Sequence, residues 1–476
     1  MISETFKRQC IHHILDGLRD GLSHYSQRTR VALIFADTAD APLQVYDPQG
    51  LLCGHEPKLK EVYLDSGAWR KKLCGRSPAG PLERVTAKDL DLAGLISYGA
   101  RSDAIFYQRW FTEHHPDICS PLPIECWLEH AAWLLSQNFL AQDVLYLETA
   151  GHVLQQWAAH AVRNAIVDLR SRLIGMDTHL RVYPILDAVL GISKTLEEGA
   201  WPCGELAFVE PSQLGRMFFD ARFPVLERPY LENFKHVRKL LQAVEHTHRR
   251  LVSDGSHIVG VASGLAPTGT LIADFRGDKG FLRLDSSLVC NFSDGAFHAS
   301  TRKANLVLLE EALLESSLDD TSGHALFSIV SDLVRCAQQR RHGTTLVLDL
   351  RAELDKLAGQ HLESPLPLQN SDCLELACSL AKVDGALHIG ADLRLHGFAC
   401  LLDGRSVPGE NRARGARFNS ALRFTSELKD VIVVVVSSDR PVSIIQGGLE
   451  LTAQCALAPM VCGIGRLPEL GEWIDG

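Results

Sequence analysis

The chain has 476 residues, of which 46% are hydrophobic and 22% charged, and its formal net charge is −10. This composition is typical of a globular protein with two or three domains. The acidic balance argues against nucleic-acid binding, and no apolar run reaches the ~18 residues that a membrane-spanning helix needs. The first residues also lack a signal-peptide core. We therefore expect a cytoplasmic protein whose partners include neither a membrane nor a nucleic acid.

Thirteen cysteines are scattered from Cys10 to Cys462, and none belongs to a CxxC pair. A disulfide framework or a structural zinc site normally has tighter spacing. We therefore expect buried free thiols. Histidine pairs such as His246 and His248 lack a carboxylate or cysteine at ligand spacing, so an ordinary structural role is favoured for them over metal binding.

The N-terminal half is predicted to mix helices with short strands. Helical periodicity covers residues 3–28 and residues 128–174, the latter as two helices. Short strands are predicted at residues 31–35 and 207–211. Residues 230–252 have the pattern of one long amphipathic helix with basic side chains on its polar face.

After residue 253 the apolar period changes to that of strands. Strands are predicted at residues 258–261, 271–275, 281–284 and 288–292, followed by a helix at residues 304–316. The glycine-rich segment between the first two strands has no GK[ST] ending, so turns are favoured there over a phosphate-binding loop.

The final third alternates helices and strands. The predicted helices are residues 324–340, 372–383 and 416–428, and the predicted strands are residues 344–350, 385–390 and 431–437, with a closing hairpin at 442–445 and 449–451. Residues 431–437 are apolar on both faces, which predicts a central strand. The pattern indicates an α/β sandwich with a mixed sheet.

Three short segments of this last third carry groups suited to chemistry. The first is Asp384-Gly385-Ala386 at the start of a predicted strand. Two small residues allow a ligand to approach the backbone, and the carboxylate can bind a cation or a hydroxyl group. An ordinary turn is the simpler interpretation of this segment taken alone.

The second segment, residues 410–424, is basic in an otherwise acidic chain. It contains Arg412, Arg414, Arg417 and Arg423, and Gly415 lies where the predicted helix begins. Guanidinium groups and the free amides of a helix start together make a good anion site. A solvated basic loop is the alternative.

The third segment is the end of the strand at residues 431–437, where Ser437, Ser438 and Asp439 follow the apolar run. Ligand groups in α/β proteins often lie at the carboxyl ends of strands. Hydroxyl and carboxylate oxygens suit phosphate or metal binding, although a simple turn would contain the same residues.

In order and spacing, these segments resemble the diadenylate cyclase domain of bacterial DNA-integrity-scanning and cyclic di-AMP synthase proteins. That family has an Asp-Gly-Ala motif, a Gly-Thr-Arg-His-Arg segment that opens a helix, and an apolar strand that ends in Ser-Glu. The likeness spans roughly residues 321–451. It implies a fold of the diadenylate cyclase type, in which two protomers face each other, each binds one ATP, and cyclic di-AMP and pyrophosphate form with Mg²⁺ or Mn²⁺.

The resemblance also implies a role for each matching residue. Asp384 would bind the metal and lie near the attacking hydroxyl, Arg417 would hold phosphate, and Ser437 would contact the phosphates and metal. The residues implied to contact the nucleotide are Gly385, Ala386, Gly415, Ala416, Asn419, Ser420 and Ser438.

Part of the family's phosphate segment is altered, since Ala416, Phe418 and Asn419 replace its Thr, His and second Arg. Arg412, Arg414 or Arg423 could supply the lost cation, and Phe418 has the spacing of a core residue. Two functions therefore remain open. One is an active cyclase, and the other is a degenerate nucleotide-binding domain that signals without turnover.

The predicted organisation has three parts. Residues 1–252 form a helix-rich sensor or assembly region that could bind an unidentified ligand, residues 253–320 a small β-rich connection, and residues 321–476 the cyclase-like domain. A homo-oligomer with facing cyclase domains is expected.

Overall fold

The structure of the chain is a computed structural model. It describes residues 4–87, 90–141, 147–175, 179–277, 279–300, 306–340, 342–351, 353–407, 414–428, 430–437, 442–451 and 466–475. Contacts divide the chain into two units, Met1–Thr301 with Ala458–Gly476, and Arg302–Leu457. The boundaries predicted above, at residues 252 and 320, stay predictions.

The first part of the N-terminal unit combines helices with an antiparallel sheet. Its helices are α1 (Glu4–Tyr25), α2 (Glu56–Leu59), α3 (Ala68–Leu73), α4 (Leu122–Ala141), α5 (Leu147–Gln155), α6 (Ala158–Ile174) and α7 (Val182–Ser193), and its strands are β1 (Val31–Ala36), β2 (Gln44–Tyr46), β3 (Glu83–Arg84), β4 (Leu95–Arg101) and β5 (Tyr107–Glu113). The strand order is β2-β1-β5-β4-β3. The helical stretch predicted as two helices at residues 128–174 is therefore covered by three helices, α4 to α6.

The rest of this unit is built on an eight-stranded sheet. Its elements are β6 (Cys203–Phe208), β7 (Phe219–Arg222), α8 (Phe234–Leu241), β8 (Arg250–Ser253), β9 (Ile258–Ala262), β10 (Leu271–Arg276), β11 (Lys279–Leu284), β12 (Ser287–Ser293) and β13 (Ala296–His298). The strand order is β13-β12-β11-β10-β6-β8-β9-β7. Strands on both sides of residue 252 thus share one sheet.

The long helix predicted over residues 230–252 is wrong. The helix α8 ends at Leu241, His246 has a positive φ of 56°, and β8 pairs in parallel with β6. No Gly or Pro marks this break in the sequence. Leu251 and Val252 are fully buried in the sheet, so burial between neighbouring strands overrides the local helical pattern.

The end of the chain returns to the N-terminal unit. The helix α13 (Leu470–Asp475) follows two backbone hydrogen bonds to the first sheet, from the Val45 amide to the Pro468 carbonyl and from the Leu470 amide to the Leu43 carbonyl. Leu470 is buried with the side chains of the β1 face. Residues 466–475 therefore pack with the start of the chain.

The C-terminal unit is an α/β sandwich, as predicted. Its helices are α9 (Val307–Leu314), α10 (Asp320–Gln339), α11 (Ser371–Leu380) and α12 (Ala416–Glu427), and its strands are β14 (Thr344–Asp349), β15 (Gln360–Pro367), β16 (Ala386–Gly390), β17 (Arg394–Cys400), β18 (Val431–Val436), β19 (Ser443–Gln446) and β20 (Leu449–Glu450). The strand order is β15-β17-β16-β14-β18-β19-β20.

The strand β18 is buried on both faces, which confirms its predicted central position. Ile432, Val434 and Val436 pack with α10 and α11 on one face. The alternate valines of the strand pack with Phe418 and Phe424 of α12 on the other face. The period of two along a strand thus supplies both halves of the sandwich core.

The described residues agree with the composition in two further respects. No helix among them combines the length and apolar character that a membrane span requires. The eleven cysteines that they include are free, and five of these are buried while Cys53 and Cys74 are exposed. The expectation of buried thiols is therefore confirmed for only part of the set.

A buried ion pair connects α6 to the segment that follows β6. Arg170 Nη2 lies 2.7 Å from Glu210 Oε2, and both side chains are at most 5% exposed. The same carboxylate accepts a hydrogen bond from the His179 amide at 2.6 Å, and Arg170 also donates to the Gly269 carbonyl.

We predict that Glu210→Gln lowers the free energy of unfolding by about 3–5 kcal/mol, because it leaves a buried guanidinium without its counter-charge. All seven tryptophans lie within residues 1–301 or 458–476, so urea unfolding followed by tryptophan fluorescence reports on this unit alone. The exposed pair of Lys58 and Glu61 supplies the control, since Glu61→Gln should change little. Equal effects of the two variants would contradict the prediction.

Candidate nucleotide-binding site

Strand directions bring the predicted site residues to one edge of the C-terminal sheet. β14 pairs in parallel with β16 and antiparallel with β18, so that Thr345 lies opposite Ala386 and Thr344 lies opposite Val436. The starts of β14 and β16 therefore lie beside the end of β18. This arrangement puts Ser437, which follows β18, next to the segment that precedes β16.

A cleft of about 450 Å³ opens at this edge, within the range of small-ligand sites. Its lining residues are Asp384, Gly385, Arg414, Gly415, Ala416, Arg417, Phe418, Val435, Val436, Ser437 and Ser443. The three residues predicted as catalytic, Asp384, Arg417 and Ser437, thus share one cleft.

The other predicted contact residues are placed differently. Ala386 and Asn419 are buried, at 1% and 8% exposure, and Ser420 is half-buried in α12. None of these three is among the residues that line the cleft. Ser438 and Asp439 lie outside the described residues, as does Arg412.

An exposed ion pair crosses the cleft. Arg417 Nη2 lies 3.0 Å from Asp384 Oδ1, with the two side chains 44% and 100% exposed. Gly343 lies beneath this arginine, because a Cβ atom at that position would be only 2.7 Å from Arg417 Nη1. Exposed pairs of this kind are weak, so both charges can exchange their partner for a ligand.

The start of α12 provides amides on the same side of the cleft. Gly415 is the N-cap residue, with φ 89° and ψ 166°. Because glycine has no side chain, it makes no capping hydrogen bond to the first amides of the helix. A Cβ atom there would meet nothing within 4 Å. The first amides of a helix have no partner within the helix and attract anions, so this open N-terminus is suited to phosphate.

Gly385 has a second purpose besides the one predicted. Its φ is 114°, and a Cβ atom would lie 2.4 Å from the carbonyl carbon of Ala399. The glycine therefore permits the close approach of β17 to the start of β16. Because Asp384 directly precedes Gly385 in the chain, its position depends on this close approach.

Arg414 is held by three neighbours at the edge of the cleft. Its guanidinium lies 4.2 Å from the centroid of the Phe418 ring, and its Nη2 donates to Ser443 Oγ at 3.0 Å and to Glu450 Oε1. Phe418 is 8% exposed and belongs to the core, as its helical spacing predicted. Sequence reasoning missed Ser443 and Glu450, since nothing in a closing hairpin marks them as neighbours of residue 414.

The charges around the cleft are mainly positive. Burial lowers the pKa of His342, and Lys382, Arg340 and Arg417 lower it further through their charges, against a backbone hydrogen bond that raises it. His342 is therefore neutral near pH 7. Among the residues that the structure describes, no group of three or more His, Cys, Asp or Glu side chains could hold a metal ion. Asp384 is the one acidic residue among the described residues that line the cleft.

Comparison with protein families decides the type of domain. Residues 332–449 match the family model DAC, described as the DisA bacterial checkpoint controller nucleotide-binding domain. The C-terminal unit contains a DAC domain. Two further models, each described as a probable sensor domain, match residues 5–176 (DACND) and residues 183–290 (DACNH). The chain thus combines a nucleotide-binding DAC domain of the diadenylate cyclase type with two N-terminal regions that match models of probable sensor domains.

Solved structures and curated proteins add little to this assignment. A hypothetical membrane spanning protein from Bacillus cereus is 18% identical over 30% of this chain and 68% of its own, with a TM-score of 0.25. A double cysteine mutant of DacA from Staphylococcus aureus is 19% identical over 33% of this chain and 95% of its own, with a TM-score of 0.22. No curated protein matches the chain. The assignment of the DAC domain therefore depends on the family model.

We predict that Gly385→Ala destabilises the DAC domain by at least about 1–3 kcal/mol, since it adds a left-handed backbone strain and a contact with Ala399. Calorimetry of the full chain would measure the change. Gly323→Ala is the matched control, because this glycine lies in α10 and a Cβ atom there meets its nearest neighbour only at 4.0 Å. That variant should be neutral or slightly stabilising. Equal stability of the two variants would contradict the close-approach account.

Proposed function

We propose that the DAC domain is a diadenylate cyclase, which condenses two ATP molecules into cyclic di-AMP and releases pyrophosphate. The observation that carries the proposal is the meeting of Asp384, Arg417, Ser437 and the open start of α12 in one cleft. In each step the 3′-hydroxyl oxygen of one ATP forms a bond to the α-phosphorus of the other. The bond from that phosphorus to the oxygen that bridges it to the β-phosphorus breaks, pyrophosphate leaves with that oxygen, and the carboxylate of Asp384 accepts the hydroxyl proton.

Phosphate binding is assigned to Arg417 and to the amides that follow Gly415. Arg417 is nearly half exposed and its present partner is an exposed carboxylate, so an incoming triphosphate can take over its charge. Phosphoryl transfer depends mainly on positioning and on neutralising the charge of the leaving group. A guanidinium beside a helix N-terminus serves both purposes.

Asp384 and Ser437 are proposed to hold Mg²⁺ or Mn²⁺ together with the phosphates of ATP. The donor set fits, since such ions are commonly bound through one or two carboxylates and substrate phosphates and retain several waters. The metal would neutralise phosphate charge and favour ionisation of the hydroxyl. Asp384 is fully exposed, which lets its second oxygen accept the hydrogen bond of an attacking hydroxyl group.

A homo-oligomer with facing DAC domains follows from the reaction itself. One cleft of about 450 Å³ has room for one nucleotide, while the product joins two. The carboxylate of Asp384 lies fully exposed at the cleft, where the nucleotide of a second copy can reach it. We propose that the N-terminal domains control this meeting as sensor or assembly modules for an unidentified ligand.

A second candidate function is nucleotide binding without turnover. Its support is the burial of Phe418 and Asn419, which replace a titratable and a cationic residue of the family's phosphate segment. A domain of this kind would bind ATP and signal through the N-terminal region.

Incubation of the full chain with ATP and Mn²⁺ or Mg²⁺, followed by chromatography of the nucleotides, separates the two functions. We predict that the wild-type chain forms cyclic di-AMP. Asp384→Asn should lower the rate by about 10²–10⁴-fold, because this variant removes the carboxylate near the attacking hydroxyl. Arg417→Gln should lower the rate by about 10²–10³-fold through loss of charge stabilisation.

Asp392→Asn is the control, since Asp392 is an exposed carboxylate in the same unit that accepts a hydrogen bond from the Arg394 amide and lies 3.0 Å from His396 Nε2. It should leave the rate unchanged. Tight ATP binding with no cyclic product at high protein concentration would refute the cyclase and support the second function.

A further inference from the structure

Arg414 occupies a position that sets it apart from the other arginines of the basic segment. It lines the cleft together with Arg417, and the two lie on either side of Gly415, one before α12 and one in its first turn. An anion at the helix N-terminus would therefore have a guanidinium available on both sides.

The guanidinium of Arg414 is also fixed in place. Its Cζ atom lies 4.2 Å from the centroid of the Phe418 ring, one helical turn further along the chain, and such a cation–π contact restricts a side chain that is otherwise flexible. The two hydrogen bonds that it makes to described residues, to Ser443 and Glu450, both use Nη2. The hairpin of β19 and β20 thus holds the arginine by one end of its fork.

We propose that Arg414 is a second phosphate-binding residue of this cleft and binds the phosphates of a nucleoside triphosphate beside Arg417. The inference rests on the cyclase proposal and deepens it. The chain has an asparagine, Asn419, where a second cation is expected after Arg417, and that residue is buried. Arg414 restores the positive charge from the opposite side of Gly415.

Phe418 has a specific part in this arrangement. It is a core residue whose neighbours include Ala421 and Phe424, so its ring cannot move far. An aromatic ring at this position gives Arg414 a platform that a smaller side chain would not provide. Phe418, which replaces the family's histidine, therefore positions Arg414, which precedes Gly415.

Glu450 makes the proposal testable. Its carboxylate is 13% exposed and partly neutralises Arg414, which is 33% exposed. If Arg414 binds phosphate, Glu450 competes with the ligand for the same guanidinium. If Arg414 only attaches the hairpin to the start of α12, the two residues are equal partners in a structural contact, and loss of either has the same result.

The experiment is calorimetric titration of the full chain with an ATP analogue that has a methylene group between the α- and β-phosphorus atoms, so that no turnover occurs. Arg414→Gln should weaken binding by about 10- to 100-fold, the value of a charged hydrogen bond to phosphate. The affinity of Arg414→Lys for the analogue should lie between those of the wild type and Arg414→Gln, because lysine keeps the charge but lacks the two-pronged guanidinium group. Binding of adenosine should be unchanged in all variants.

Glu450→Gln should bind the analogue at least as tightly as the wild type, and the double variant of both positions should bind as weakly as Arg414→Gln. The double variant leaves no unpaired carboxylate, so it tests the charge even if the single variant folds poorly. Arg394→Gln is the control, since Arg394 is an exposed arginine at the start of β17 that donates to the Pro365 carbonyl.

The outcomes separate the inference from the cyclase proposal. A wild-type chain that does not bind the analogue refutes the proposed function itself. A wild type that binds, with unchanged binding by Arg414→Gln or the double variant, refutes only the role of Arg414. Equal weakening by Glu450→Gln and Arg414→Gln, with equal loss of thermal stability, assigns a structural role and also overturns the inference.

Discussion

The antiparallel pairing of β18 with β14 determines where the cleft of this protein lies. β16 runs parallel to β14, so an antiparallel β18 ends where the other two begin. This direction brings Ser437 to the segment of Asp384 and Gly385. A parallel β18 would have placed that serine at the opposite edge, about 20 Å away for a strand of six residues. The six apolar residues of β18 are buried on both faces, which keeps this strand beside β14. Ser437 and Asp384, which are far apart in the sequence, therefore lie close together.

The second constraint is the charge at this edge. The chain as a whole has a net charge of −10, but Arg414 and Arg417 both line the cleft. Each is held by a carboxylate, Glu450 or Asp384. The Arg414–Glu450 pair is partly buried, whereas the Arg417–Asp384 pair is exposed and therefore weak. Under the proposed function a triphosphate displaces both carboxylates, which therefore compete with it for the two guanidinium groups.

The elements that could be predicted from the sequence are those whose apolar residues follow the period of a helix or a buried strand. These include the helix α10 and the strands β14 and β18, whose predicted bounds differ from the observed bounds by at most a few residues. β15 and β17 were not predicted. The pattern of β15 alternates poorly because most of its side chains are exposed at the sheet edge.

The cleft was predicted through order and spacing of three segments, while its geometry was not. The ion pair of Arg417 with Asp384 and the contacts of Arg414 depend on side-chain directions that spacing leaves open. The return of residues 466–475 to the first sheet is likewise a tertiary contact without a local signal.

The most direct test of the account is a crystal structure of the full chain with the α,β-methylene analogue of ATP and Mg²⁺. The account predicts a triphosphate at the start of α12, with Arg417 released from Asp384 to the phosphates. An analogue bound elsewhere, with the Arg417–Asp384 pair intact, would contradict it.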